Sequence, residues 1–242
     1  MSESSLPETN PYNITPTMVR YTYMAFCLMI LVPLAYGLWF FLWGVPLSWG
    51  GIGIGALGWT IALMLRNPVA LLAKAIPATS KHVTTIVVAS SGPCEELVRL
   101  AVVLLLGRAF PMALSIGLGW AAIEVVYAII NSFVTLSLFR RDDEKARQAR
   151  AVLENMGLAR AMLNSPPFMG VLERISASAL HIGFTLLLAW QPLLVVLTIP
   201  LHSSTNFMAL FLVRRSVVLM ELCVAIIGIV ALLAGLGVFG RL

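Results

Sequence analysis

Cysteine is scarce in this chain: three in 242 residues, at Cys27, Cys94 and Cys223, with no CxxC spacing. That excludes a disulfide framework and a zinc ribbon. Cys94 adjoins acidic residues, but in its apolar run it reads as a small packing residue rather than a nucleophile. Charge is scarce as well, 11% Asp, Glu, Lys and Arg against 60% apolar residues. With a mean hydropathy of +0.93, the composition excludes a water-soluble domain of this length. The net charge is only +5, and no nucleic-acid partner is expected from it. A basic-then-apolar leader is missing too. The first twenty residues are polar, with Pro7, Pro11 and Pro16, so the first apolar run is expected to be retained. Neither an internal repeat nor an HExxH zinc motif is present.

What the chain does have is a series of apolar runs of about twenty residues, the length that crosses a hydrocarbon core of roughly 30 Å. Seven spans are expected, at 21–43, 47–65, 83–107, 109–137, 168–189, 191–213 and 216–238. The predicted class is an all-α, polytopic membrane bundle of about seven transmembrane helices with a buried polar cavity at the midplane. A polar tail, 1–20, precedes a single transmembrane domain, 21–242. On this layout thirteen of the sixteen basic residues fall on one side, Arg108 and Arg241 on the other, and Arg99 inside a span. The positive-inside rule then makes this an integral, multi-pass protein with a cytoplasmic N-terminus and an outside C-terminus. Gly51 and Gly55 form a small-xxx-small pair suited to close helix packing. Residues 67–82 suggest a short interfacial helix, and the charged loop 139–167 a helix on the anionic inner leaflet, with Ala151, Val152, Met156, Leu158 and Met162 as its apolar residues.

The most informative stretch is Ser90 to Leu106, where Glu95, Glu96 and Arg99 interrupt a span. Each charge at a helix centre costs roughly 2.5–3.5 kcal/mol, so such residues point to a functional site facing the bundle interior. Other spans supply more polar groups near their middles: Glu124, His181, and His202 with Asn206. Random intrusions would scatter in depth, and these do not. Arg99 is i,i+4 from Glu95 and i,i+3 from Glu96, so it can pair with either. His202 and Asn206 share a helix face, as do Trp120 and Glu124. Gly92-Pro93 and Pro200 should open the backbone beside the acidic pair and the histidine, which is tolerated where backbone lines a protein-buried or wet cavity. The parts suit water activation: a carboxylate to take a proton, two imidazoles and a carboxylate (His181, His202 and Glu95) to hold a zinc ion with one open position, and an amide to donate to an oxyanion. Glu221, near Arg215, is expected to snorkel or pair at the interface.

The order of these motifs resembles the superfamily of CAAX prenyl proteases and bacteriocin-processing enzymes. That superfamily includes the PrsW-like and YhfC-like intramembrane proteases and the anterior-pharynx-defective subunit of gamma-secretase. Glu95-Glu96-Leu97-Val98-Arg99 is similar to the acidic pair followed by a basic residue, at PrsW-type spacing. Trp120 and Glu124 match an aromatic four residues before Glu or His, although Gly119-Trp120-Ala121 stands where the YhfC branch commonly has GHG. His181 matches the third motif, and His202-Ser203-Ser204-Thr205-Asn206 the HxxxN or HxxxD fourth. The resemblance covers 83–213. It implies Glu95 as general base on a water, Glu96 and Arg99 as its support, His181 and His202 on a metal or the water, and Asn206 on the oxyanion.

The leading expectation is therefore an intramembrane endopeptidase, with Glu95, Glu96, Arg99, Glu124, His181, His202 and Asn206 as its site. Its substrate would be a membrane-embedded or lipidated protein or peptide, and its cofactor, if any, zinc. Two alternatives stay open: a non-catalytic scaffold subunit in a membrane complex, and a proton-coupled transporter relaying through Glu95, Glu124 and the histidines. Oligomerisation is open as well.

Overall fold

The computed structural model describes residues 12, 14–75, 80–155, 158–159, 165–166 and 168–241, less the side chains at 74, 80 and 81. The helices are α1 (Pro16–Leu42), α2 (Trp49–Ala75), α3 (Ser80–Ala89), α4 (Ser91–Leu106), α5 (Phe110–Arg140), α6 (Glu144–Asn155), α7 (Met169–Trp190), α8 (Val195–Leu212) and α9 (Val217–Gly237). A 3₁₀ turn, Pro192–Leu194, leads into α8. The described residues contain no strand. Among the described residues six helices are long and apolar enough to cross a membrane: α1, α2, α5, α7, α8 with its leading turn, and α9. The protein is thus a multi-pass, all-α membrane bundle. Its outer surface is apolar, with Leu34, Phe41, Leu105 and Val196 all exposed, as lipid requires.

The expected third span is divided at Ser90 into α3 and α4. Pro93 has no N–H for the Ala89 carbonyl. That carbonyl accepts instead from Ser203 Oγ of α8, at 2.8 Å. A Cβ on Gly92 would collide with the Ile199 carbonyl and the Ser203 hydroxyl, so the start of α4 lies directly against α8. This contact brings the Glu95-Glu96 turn to the His202 turn.

Helix α7 is the core of the bundle. Its residues from Ser178 to Leu186 are all buried, and it packs on α9, α5, α1 and α4. The largest apolar cluster joins Ile182 and Leu186 to Leu114, Val103, Phe40 and Leu236. The glycine expectation holds in the α2–α5 contact. A Cβ on Gly55 would overlap the Ile116 carbonyl, and one on Gly119 the Ile52 carbonyl, so each backbone is seated on the other.

Three expectations change. Helix α2 continues through Pro68 to Ala75, so 67–75 is not a separate interfacial helix; residues 76–79 lie outside the described residues. Pro68 costs one hydrogen bond to the Met64 carbonyl, and that residue is 64% exposed. Glu221 is buried and does not reach Arg215, whose guanidinium lies over the Phe211 ring. In the loop 139–167, α6 is tied back to the end of α5: buried Arg150 donates to the Leu138 and Arg141 carbonyls and pairs with Asp142. Ala151 and Val152 are exposed on it, Leu158 is half-buried, and Met156 and Met162 lie outside the described residues.

Candidate active site

Four helices deliver the site. Glu95, Glu96 and Arg99 come from α4, Trp120 and Glu124 from α5, His181 and Thr185 from α7, and His202 and Asn206 from α8. Glu96 and Arg99 are wholly buried, and Glu95, His181 and His202 almost so.

Arg99 is the hub. Its Nη1 donates to the His181 carbonyl at 2.7 Å and to Thr185 Oγ1 at 3.0 Å. Its Nη2 lies 3.3 Å from Glu96 Oε1, 3.9 Å from Glu95 Oε2 and 2.9 Å from His181 Nδ1. The guanidinium sits 4.3 Å from the centroid of the Trp120 ring, a cation–π arrangement. One cation thereby organises both glutamates, a histidine and an aromatic.

The partners assign the histidine tautomers, because guanidinium only donates and carboxylate only accepts. His181 Nδ1 accepts from Arg99, so the ring proton is on Nε2, in contact with Glu124 Oε2. His202 is the reverse. Its Nδ1 donates to Glu96 Oε1 at 2.7 Å, which leaves the Nε2 lone pair 3.6 Å from Glu95 Oε1. The two rings are 5.6 Å apart. A carboxylate holding one imidazole nitrogen so that the other is presented is a common device for orienting a ligand or base.

Glu95 is the carboxylate at the cavity. Trp120 Nε1 donates to its Oε2 at 3.2 Å, and Arg66 of α2 pairs with its Oε1. Trp120 has an N–H and no lone pair, so it orients Glu95 and cannot ligate a metal. Glu124 pairs with Arg174 at 2.7 Å, which also holds Glu173 at 2.6 Å. The cavity measures about 310 Å³, and Glu95, Glu124, His181, His202 and Asn206 all line it. Glu96 and Arg99 are behind this wall. Glu95, Glu124 and His181 each bring a ligand atom within 4.8 Å of the others. His202 is outside that triad, though beside Glu95. The Asn206 amide nitrogen donates to Ser91 Oγ at 2.8 Å.

A family model for the YhfC intramembrane metalloproteases matches residues 28–228. The chain belongs to that family. The match takes in every polar residue just described, from Arg66 to Asn206. No curated protein and no solved structure matches the chain. In this chain α4, α5, α7 and α8 supply the polar set from separate helices, which is why no single zinc motif is readable in the sequence.

Sequence reasoning missed Arg66 and Arg174, both of which pair with site carboxylates. In the charge pattern each falls among the thirteen basic residues of the cytoplasmic side. A signal existed for Arg174, since the expected span 168–189 already enclosed it. Arg66 carried none, because its long side chain reaches the site from the neighbouring helix.

Proposed function

We propose that this protein hydrolyses a peptide bond of a membrane-embedded or lipidated substrate in the 310 Å³ cavity, with Glu95 taking the proton from the attacking water. The observation that carries the reading is the convergence of Glu95, Glu124, His181, His202 and Asn206 on that one cavity in a member of a metalloprotease family.

The donor set fits a divalent metal. Two carboxylates and an imidazole within 4.8 Å of one another, with the His202 lone pair beside them, match the nitrogen and oxygen ligands that zinc takes. Glu124 and one or both histidines would hold it, beside the Glu95 carboxylate that acts as the base. His202 presents a lone pair as it is, whereas His181 presents an N–H and must exchange its contact with Glu124 or Arg99 before it can ligate. A bound zinc ion supplies a water of lowered pKa and a Lewis acid for the scissile carbonyl. The chain's own residues do the rest. Trp120 aims the Glu95 carboxylate. Glu96 fixes the His202 tautomer and so keeps its Nε2 lone pair turned toward Glu95, and Glu95 returns the proton it takes up to the leaving amine. Arg99 holds Glu96, Trp120 and His181 as a unit. Asn206 spends one amide hydrogen on Ser91 and keeps the other for the carbonyl oxygen. Arg66 covers Glu95 Oε1 and must swing away for water to reach that oxygen.

The test is cleavage of a single-span peptide in proteoliposomes. Glu95→Gln is expected to abolish it, by about a hundredfold or more for loss of a general base, and chelation to suppress it until zinc is restored. Normal cleavage by Glu95→Gln would sink the reading. One observation favours the scaffold alternative: Glu95, Glu96 and Glu124 each have an arginine partner, as a purely structural network would. That alternative expects neither cleavage nor metal uptake by the unaltered protein.

A further inference from the structure

A second cavity, of about 460 Å³, lies where the beginnings of α1, α7 and α9 meet the end of α5. It adjoins the active-site cavity at Glu173, which lines both. The two also adjoin along α5 and α9. Ser132 follows Asn131 on α5, and Glu221 is one turn before Val224 on α9, the first of each pair in one cavity and the second in the other.

The lining of the second cavity has one sign. It includes Glu173, Glu221, Thr22, Ser132 and Thr135, and no lysine or arginine among its described residues. Yet this is the end of the bundle where the sequence concentrates its basic residues. Glu221 is 2% exposed, and its Oε2 has no hydrogen-bond donor among the described residues. Its charged neighbours are Glu173 and Arg174. Arg174 is already committed to Glu124 and Glu173. A buried carboxyl without a donor is unfavourable, so a ligand that brings one gains by entering.

We propose that this cavity is the subsite for a basic side chain of the membrane-embedded substrate, with Glu221 accepting from its ammonium or guanidinium group. The proposal rests on the protease reading for the identity of the ligand. Membrane segments carry Lys and Arg at their cytoplasmic ends, and the positive-inside rule assigns this end of the bundle to the cytoplasm. A substrate segment lying along α5, α7 and α9 therefore brings a cation to Glu221 while its interior reaches Glu95. A lipid ammonium headgroup would carry a phosphate with it, and the described lining offers that phosphate no cation.

The test reads binding, so that it does not depend on catalysis. Glu95→Gln protein in phosphatidylcholine vesicles is titrated with fluorescent single-span peptides carrying one Lys, Gln or acetyl-lysine, scanned along the cytoplasmic flank. At one position the Lys peptide is expected to bind about tenfold tighter than its neutral counterparts, the scale of one charge-assisted hydrogen bond. Adding Glu221→Gln should erase the difference without weakening the neutral peptides. Equal affinities at every position, or a preference that survives Glu221→Gln, overturn the proposal. If the double variant does not fold, the Lys against acetyl-lysine comparison in Glu95→Gln protein decides alone. A preference abolished by phosphatidylethanolamine assigns the cavity to a headgroup and also overturns it. Failure of the unaltered protein to cleave any of these peptides counts against the protease reading, whereas a Glu221-dependent Lys preference in binding upholds the subsite.

Discussion

Arg99 allows the sharpest test of how the site is held together. In Arg99→Met the aliphatic stem is kept and the cation is lost. Glu95 retains Arg66 and Trp120. The His181 carbonyl retains the Thr185 hydroxyl at 2.7 Å. Glu96 is worse placed. It is 0% exposed, and among the described residues it keeps only His202 and its Oε2 has no hydrogen-bond partner. Removing one member of a buried ion pair costs about 3–5 kcal/mol. Because His202 still donates to Glu96, the lower end applies, roughly 3 kcal/mol. For a chain of this size that lowers the melting temperature by about 6–12 °C, measured by thermal denaturation in detergent. Arg99→Met with Glu96→Gln removes both charges and should recover most of the loss, since replacing a whole buried pair is often neutral. Arg99→Lys should fall between, because a single ammonium cannot serve His181, Thr185 and Glu96 while stacked on Trp120. A single variant that melts within about 2 °C of the unaltered protein, less than 1 kcal/mol on the same scale, refutes the hub. So does a double variant no more stable than the single.

Two further predictions concern the scaffold of the site. Ser203→Ala should cost about 1 kcal/mol by orphaning the Ala89 carbonyl, within the range of hydrogen bonds inside membranes. In a Pro93→Ala background residue 93 regains an N–H for that carbonyl, so the cost of Ser203→Ala should fall toward zero; additive losses in a cycle of detergent melts would contradict this. Outside the membrane, Asp143 accepts from the Ala146 N–H and from Arg141, and these hold its carboxyl below the ordinary carboxylate value. A lowered folded pKa means that its support of α6 is complete above about pH 4 and is lost as pH falls through the folded value. Protection of the Ala146 amide, taken relative to its intrinsic exchange rate, should therefore fall below roughly pH 4, with that step absent in Asp143→Asn; protection unchanged through this range in the unaltered protein contradicts the cap.

Much of the bundle was legible because a bilayer admits few solutions. Apolar runs of fixed length must be helices, so α1, α5, α7, α8 and α9 match the expected spans to within a few residues, apart from the start of α1 at Pro16. The polar set was legible for the same reason. A charge or histidine in such a run is costly enough to stand out, and the i,i+3 and i,i+4 spacings around Arg99 already joined it to both glutamates. Local chemistry also marked the break before Glu95, because Pro93 cannot complete the helix ladder whatever its surroundings.

What the chain alone left undecided was everything that depends on helix rotation and on reach between helices. Which glutamate meets the cavity is settled by how α4 sits on α8: Glu95 lines it and Glu96 does not. The tautomers of His181 and His202 follow from partners more than eighty residues away in sequence. Arg66 and Arg174 looked like loop charges because a long side chain can bury its head several residues from where its backbone enters the membrane. Glu221 faces a cavity instead of the interface because α7 and α9 pack closely, with the Gly228 backbone on the Ser176 carbonyl. Hydropathy and the loss of a single N–H are properties of a residue and its near neighbours, so the sequence by itself determined the class, the spans and the list of polar groups. The pairing of those groups is a property of distances between separate helices, and only the tertiary structure decided it.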